Sequence, residues 1–327
     1  MERRESNLTQ RQRSNEASLA WLLVCTVGAA LFAVMIATQG ALAQDIQDPS
    51  NGWFQKCGPV VDKTGQYDPI VFPGEMPAPG THQHLFFGAT NISADSIKGT
   101  GVEPNSLLPP ADGGTTCHFK DGTDGGNFSA YWVPDLKLRD GVTWAGGKQL
   151  NAYYRKGASS VDAKKIVPFP EDPEHLGFKM LIRDRESSKT SVKWYCSNLN
   201  GEGNNGNMQE RPYDCNPSGT YPWVTAHITF PQCGDGRIDD PTDHISHVVY
   251  PSSGGCPTDH PIVFPRLFVT VKYATSLGKG ALLSSGTDPA TGFHVDYFEG
   301  WKPGRLQFYI DRCIKAGINC NSTPPAG

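Results

Sequence analysis

IVFPRLFVTVKYA (residues 262–274) is the stretch whose reading decides the fold class. Around Phe268, Thr270, Val271 and Tyr273 it alternates in the period of an extended strand, whose successive side chains point to opposite faces. The same texture recurs in short pieces at 128–138, 149–155, 178–183, 192–196, 225–230 and 246–250, each rich in Tyr, Trp, Val or Phe and closed by turn-forming residues. Such a succession of short strands predicts a mainly β protein rather than alternating β/α units. We expect an antiparallel β-sandwich or barrel-like domain with long loops and several disulfides. One C-terminal helix is expected over 304–316, where Leu306, Tyr309, Ile310 and Cys313 recur at helical spacing and Gly317 stands at the C-cap.

The bulk composition agrees. The 327 residues include 36 Gly and 26 Pro, and only 19% are charged, which is a loop-rich β composition. A formal net charge of -4 supplies no basic field for a polyphosphate backbone, so nucleic acid is excluded as a partner. The low-complexity stretch NLNGEGNNGN at 198–207 reads as a mobile surface loop.

The N-terminus sets the compartment. A polar stretch with Arg3, Arg4, Arg11 and Arg13 leads into an apolar run from Leu19 to about Thr38, then Ala41-Leu42-Ala43, a small-x-small cleavage site. This predicts a signal peptide over 1–43; the rival reading is an uncleaved anchor, which would be the only membrane contact. A lead-in over 44–56, one domain over 57–320 and a disordered tail over 321–327 complete the layout. Setting aside Cys25 in the signal segment, eight cysteines remain, an even number that reads as disulfides in an exported chain. Spacing favours local bridges 196–215, 233–256 and 313–320, which leaves Cys57 with Cys117. A zinc-thiolate site is disfavoured, because no C-x2-C spacing is present.

The chemistry concentrates in three places. His82 and His84, two apart in GTHQHLFFG, share a strand face, where two imidazoles can chelate one divalent metal ion. DDPTDHISHVVYPSSGGCPTDH (239–260) carries His244, His247 and His260 with Asp239, Asp240, Asp243 and Asp259; an aspartate beside a histidine suits a general base or the outer shell of a metal ligand. GFHVDYFEGW places His294 and Asp296 on one face beside aromatic residues, an arrangement fit for sugar rings and hydroxyls. The expected metal ligands are His82, His84 and His247. Proton transfer is assigned to Asp243, His244, His294 and Asp296, and substrate contact to His260, Tyr131, Trp132 and Trp301. The acidic run at 235–243 does not match a calcium loop.

In order, DPIVFPGEMPAPGTHQHLFFG, SAYWVPDL, AYYR, FKMLIRD, ITFPQCGDGRIDDPTDHISHVVYP, GGCPTDHPIVFPRL and GFHVDYFEGW closely resemble an exported family, the domain of unknown function DUF1996, frequent in fungi and found in bacteria. The resemblance spans about Cys57 to Cys313. It implies polysaccharide surroundings, since some fungal members carry appended wall-sugar or cellulose-binding modules, and it implies no reaction. This chain departs from the family pattern at Gly234, where a tryptophan is usual. The expected function is a carbohydrate-active enzyme on polysaccharide or cell-wall glycan, a hydrolase or lyase, with a non-catalytic glycan-binding or structural envelope protein as the alternative.

Overall fold

Val263 and the alternating run from Arg266 to Tyr273 do become strands, and the longer one is a centre of the molecule. The computed structural model describes residues 51–61, 82–90, 114–170, 177–183, 192–240, 242–321 and 325. The stretch read as signal peptide and most of the tail lie outside them. In chain order the strands are β1 (Gly52–Cys57), β2 (His84–Gly88), β3 (Cys117–His118), β4 (Ala130–Pro134), β5 (Leu136–Lys137), β6 (Gly147–Arg155), β7 (Lys179–Arg183), β8 (Val192–Ser197), β9 (Trp223–Thr229), β10 (Cys233–Gly234), β11 (Val248–Val249), β12 (Ile262–Val263), β13 (Arg266–Tyr273), β14 (Leu282–Leu283) and β15 (His294–Phe298). A helix α1 (Arg305–Tyr309) runs on as a π-helical turn, Ile310–Lys315. Among the described residues no helix is long and apolar enough to cross a membrane.

Two antiparallel sheets carry the fold: six strands in the order β3-β1-β6-β13-β9-β8, and four in the order β2-β4-β15-β7. Neither closes into a barrel. Alternation explains how they share a core. Leu267, Val269, Val271 and Tyr273 of β13, with Leu150, Ala152 and Tyr154 of β6, face inward to meet Leu85, Tyr131, Val133, Met180, Val295 and Tyr297 of the smaller sheet in one buried cluster. Each fully buried large apolar side chain contributes about 1.5–3 kcal/mol. The core's tyrosine hydroxyls satisfy one another: Tyr131 lies 2.7 Å from Tyr154, which lies 3.5 Å from Tyr297. The Trp301 indole N–H donates to the Tyr154 hydroxyl at 3.4 Å.

Four disulfides join Cys57–Cys117, Cys196–Cys215, Cys233–Cys256 and Cys313–Cys320. Such cross-links belong to an oxidising compartment. The first is a cross-strand link, since Cys57 faces Cys117 in the β1–β3 register. Two sequence expectations change. Residues 52–56, within the stretch read as lead-in, form most of β1, because Trp53 packs against Tyr154 at 5.1 Å inside the core. The 198–207 segment, read as a mobile loop, is hydrogen-bonded to the sheet: Asn204 N–H donates to the Cys196 carbonyl (2.9 Å) and the Gln149 side-chain amide to the Leu199 carbonyl (3.2 Å). Gly234 also finds its reason, since a β-carbon there would come within 2.3 Å of the Phe264 ring. In this chain Phe264 fills that space.

Beside the sheet junction lies a buried carboxylate with a measurable consequence. Asp135 accepts from the backbone N–H groups of Leu136 (2.7 Å) and Gly146 (3.0 Å). Burial pushes its carboxyl up to about 6. The folded chain therefore holds this proton more tightly than the unfolded one, so the associated stability is present below the unfolded carboxylate range and is lost as pH rises through about 6. Asp135→Asn keeps the Oδ1 acceptor without the charge. It is expected to raise unfolding free energy near neutral pH by about 2 kcal/mol, with a much smaller gain near pH ~4. Urea denaturation at the two pH values checks this, and an equal effect at both would refute it.

Candidate metal centre

The four-stranded sheet turns one face to the core and its other face to a separate polar and apolar surface. On that second face Phe86, Trp132 and Leu181 join Val60, Ala89, Ala130 and Phe298 in a small buried cluster. The strand registers order it into rows. Asp296 lies opposite Trp132 on one side and Leu181 on the other, and Trp132 lies opposite Phe86. One row further along, His84 faces Pro134 across β2–β4, and continuing the β15–β4 register brings His294 to the opposite side of the same proline. His84 and His294 are thus two strand spacings apart, ~9.6 Å, and lean toward each other over a short ring. Pro134, which ends β4, has no N–H to lose there. His82 stands two residues before His84 and so on the same face.

The three imidazoles converge. Nε2 of His294 lies 2.9 Å from Nε2 of His84 and 3.3 Å from Nε2 of His82. One ring nitrogen from each of the three lies within 4.8 Å of the others. The opposite nitrogens fix the tautomers: Nδ1–H of His84 donates to the His82 carbonyl (2.9 Å), and Nδ1–H of His294 to the Gly292 carbonyl (3.1 Å). With Nδ1 protonated, the lone pair of a neutral imidazole is on Nε2, and here those lone pairs point at one another. A shared proton is disfavoured, because burial, and then the neighbouring His294 and His82, push His84 well below the ordinary imidazole range. A cation held among the three nitrogens would resolve the clash. At metal–nitrogen bonds of ~2.0–2.1 Å, tetrahedral ligands sit ~3.3–3.4 Å apart and adjacent octahedral ones ~2.8–3.0 Å apart, which brackets both observed separations. The carbonyls holding Nδ1 are the usual outer shell of a metal-bound histidine.

Asp296 is buried two residues along β15 from His294 on the same face, ~7 Å away along the strand. Trp132 is buried beside it in register, and its indole N–H has no hydrogen-bond partner among the described residues.

The other expected site residues go elsewhere. His247, expected as a metal ligand, is fully buried and donates from Nε2 to the Lys179 carbonyl (2.7 Å). Lys179 faces Phe298, four residues along β15 from His294, so this histidine sits ~13 Å from the trio along the sheet. Burial lowers its pKa, despite the Lys179 hydrogen bond. Asp243 caps a turn, accepting from the N–H groups of Ile245 and Ser246 (2.8 Å each). His260 reaches from Nε2 to the Ser246 carbonyl (2.9 Å) and ties that turn down. His244, in the left-handed region at φ 57, places Nδ1 2.9 Å from Asp239, and Lys179 Nζ is 3.2 Å from the same carboxylate. Burial works against the Asp239 charge, yet His244 and Lys179 hold its pKa below the usual range. This Asp239–His244 pair runs along the outer edge of β7, where the His244 carbonyl accepts from Leu181 N–H. Tyr131 and Trp301 are core residues between the sheets. His294 is the third member of the histidine trio, and the spacing did not group it with His82 and His84. Its only local signal is the two-residue step to Asp296, because its partners lie 210 residues upstream.

A family model described as Domain of unknown function (DUF1996) matches residues 68–301. No curated protein and no solved structure matches the chain.

Proposed function

This chain belongs to the DUF1996 family, and from that premise we propose that it is an exported carbohydrate-active enzyme, a metal-assisted hydrolase or lyase acting on polysaccharide or cell-wall glycan. One observation carries the reading: one ring nitrogen from each of three imidazoles lies within 4.8 Å of the others, and His84 and His294, with their tautomers held by backbone carbonyls, meet lone pair to lone pair. His82, His84 and His294 would hold a divalent ion by one face and leave its other positions to water and substrate. Such an ion lowers the pKa of bound water toward neutrality and polarises a substrate oxygen. Asp296 stands on the same face to take or return a proton. Trp132 offers an indole donor in the adjoining row. Export is supported by the N-terminal segment and by the four disulfides.

The test is product formation from a panel of neutral and acidic polysaccharides by untagged protein, as purified, stripped by chelator and reloaded with zinc, copper or manganese. New oligosaccharide ends that vanish on stripping, return on reloading and fall by about 100-fold or more in Asp296→Asn are expected. Glycan binding with no product under any loading would replace the enzyme by a non-catalytic binder. Turnover that survives complete metal removal would sink the metal-assisted mechanism.

A further inference from the structure

The connection between β14 and β15 touches both halves of the histidine trio. It opens at Ser284, whose Oγ–H donates to the carbonyl of Gln83 at 2.6 Å. Gln83 is the residue between the two upstream histidines. The same carbonyl accepts from Asp135 N–H (3.2 Å), and Ser284 N–H donates in turn to the Asp135 carbonyl (2.8 Å). Two donors on one carbonyl engage both of its lone pairs, so the backbone carrying His82 and His84 is pinned just where β2 begins.

The connection closes at Gly292, whose carbonyl accepts Nδ1–H of His294 at 3.1 Å. Between those ends it is braced by its own bonds. Leu283 N–H donates to the Thr287 carbonyl (3.0 Å), Gly286 N–H to the Leu283 carbonyl (2.8 Å) and Gly292 N–H to the Asp288 carbonyl (2.9 Å). Asp288 takes the Ala290 N–H on Oδ1 (2.8 Å) and meets Arg211 Nε on Oδ2 (2.8 Å). Gly292 packs so closely on Thr287 that a β-carbon there would come within 2.1 Å of the hydroxyl oxygen. One stiff unit therefore grips the His82–His84 backbone at its first residue and the His294 ring at its last.

We propose that Ser284 is a positioning residue of the trihistidine centre: through the Gln83 carbonyl it sets where His82 and His84 stand relative to His294, which the far end of the same connection holds. The proposal rests on the metal reading given above and names what fixes the ligand spacing. Separations of 2.9 and 3.3 Å between ring nitrogens leave little room for displacement. Without the Ser284 hydroxyl, the Gln83 carbonyl keeps only the Asp135 N–H, and an ion would have to gather the upstream pair at the expense of its own affinity.

The experiment is competition of the untagged full chain with a chelating dye for zinc, with copper and manganese in parallel, and the visible spectrum of the cobalt(II)-loaded protein. Ser284→Ala is expected still to take one ion per chain, with affinity about 10–100-fold weaker, the range for a lost outer-shell partner, and with shifted cobalt bands. Ser284→Thr keeps the hydroxyl and should restore most of the affinity. Ser285→Ala is the control: the next side chain along is exposed, lies 2.7 Å from the Thr287 hydroxyl and should matter little to the ion. Should Ser284→Ala fail to fold, as urea unfolding of the metal-free protein would reveal, Gly292→Ala tests the other end of the connection and is expected to weaken binding in the same way. Equal affinity in wild type and Ser284→Ala, or an equal loss in Ser285→Ala, would overturn the role of Ser284 and leave the metal centre standing. A wild type that binds none of the three metals would overturn the metal reading itself, and the role of Ser284 with it.

Discussion

His84→Ala is expected to abolish stoichiometric metal binding while the protein stays folded. Elemental analysis of untagged wild type, after loading and extensive dialysis, should give close to one divalent ion per chain, and the variant none. Removing an outer-shell partner of a metal ligand costs about 10–100-fold in affinity, and removing a ligand itself costs more. His84 is chosen because its Nε2 faces His294 at 2.9 Å and its Nδ1 is locked on the His82 carbonyl, so it is the best preorganised of the three. His294→Ala should behave the same way. His247→Ala is the control: its Nε2 is committed to the Lys179 carbonyl, so the metal should remain even if stability falls. Metal retained in His84→Ala and lost in His247→Ala would refute the trihistidine assignment.

Replacing Cys57 and Cys117 together by alanine is expected to be strongly destabilising, since both are buried in the core and tied to each other. The bridge spans 60 residues of sequence. Restricting a loop of that length in the unfolded chain is worth ~4 kcal/mol. At roughly 2–4 °C per kcal/mol for a chain of this size, the melting temperature should fall by about 8–16 °C. The Cys313–Cys320 pair closes a separation of only 7 residues, so its loss should cost less by this route. Scanning calorimetry of the two double variants checks the order. A larger effect from the short bridge would show that native packing around the C-terminal turn, and not loop closure, dominates.

The fold was legible where the sequence carries local period. The alternation at 262–274, the aromatic runs at 128–138 and 149–155, the helical spacing of Leu306, Tyr309 and Ile310, and the disulfide pairs all speak within a few dozen residues or by counting. The site was legible in part. His82-x-His84 reads as a chelating pair because two residues apart on a strand share a face. Which third histidine joins them depends on the order of strands in the small sheet, and that order places β4 between β2 and β15. No spacing along the chain encodes it. His247 drew attention because it lies in the densest patch of ionisable residues, but that patch is mostly turn chemistry: Asp243 holds N–H groups, and Asp239 holds His244 and Lys179. Tyr131 and Trp301 look like sugar platforms in sequence and prove to be core, because their polar atoms find the Tyr154 hydroxyl.

Pro134, flanked by His84 on one side and His294 on the other, has an implication for when the centre comes into being. The ligand set does not exist until β2 and β15 have both docked on β4, the joining of segments more than 200 residues apart in sequence. Before that, the chain offers only the His82-x-His84 pair, a weak chelate. Capture of an ion by the proposed centre would therefore be a late event that seals a finished sheet, and its binding energy would add to the native state alone. A chain that crosses a membrane before folding would carry no metal with it, so the ion would be selected by what is available where the fold is completed.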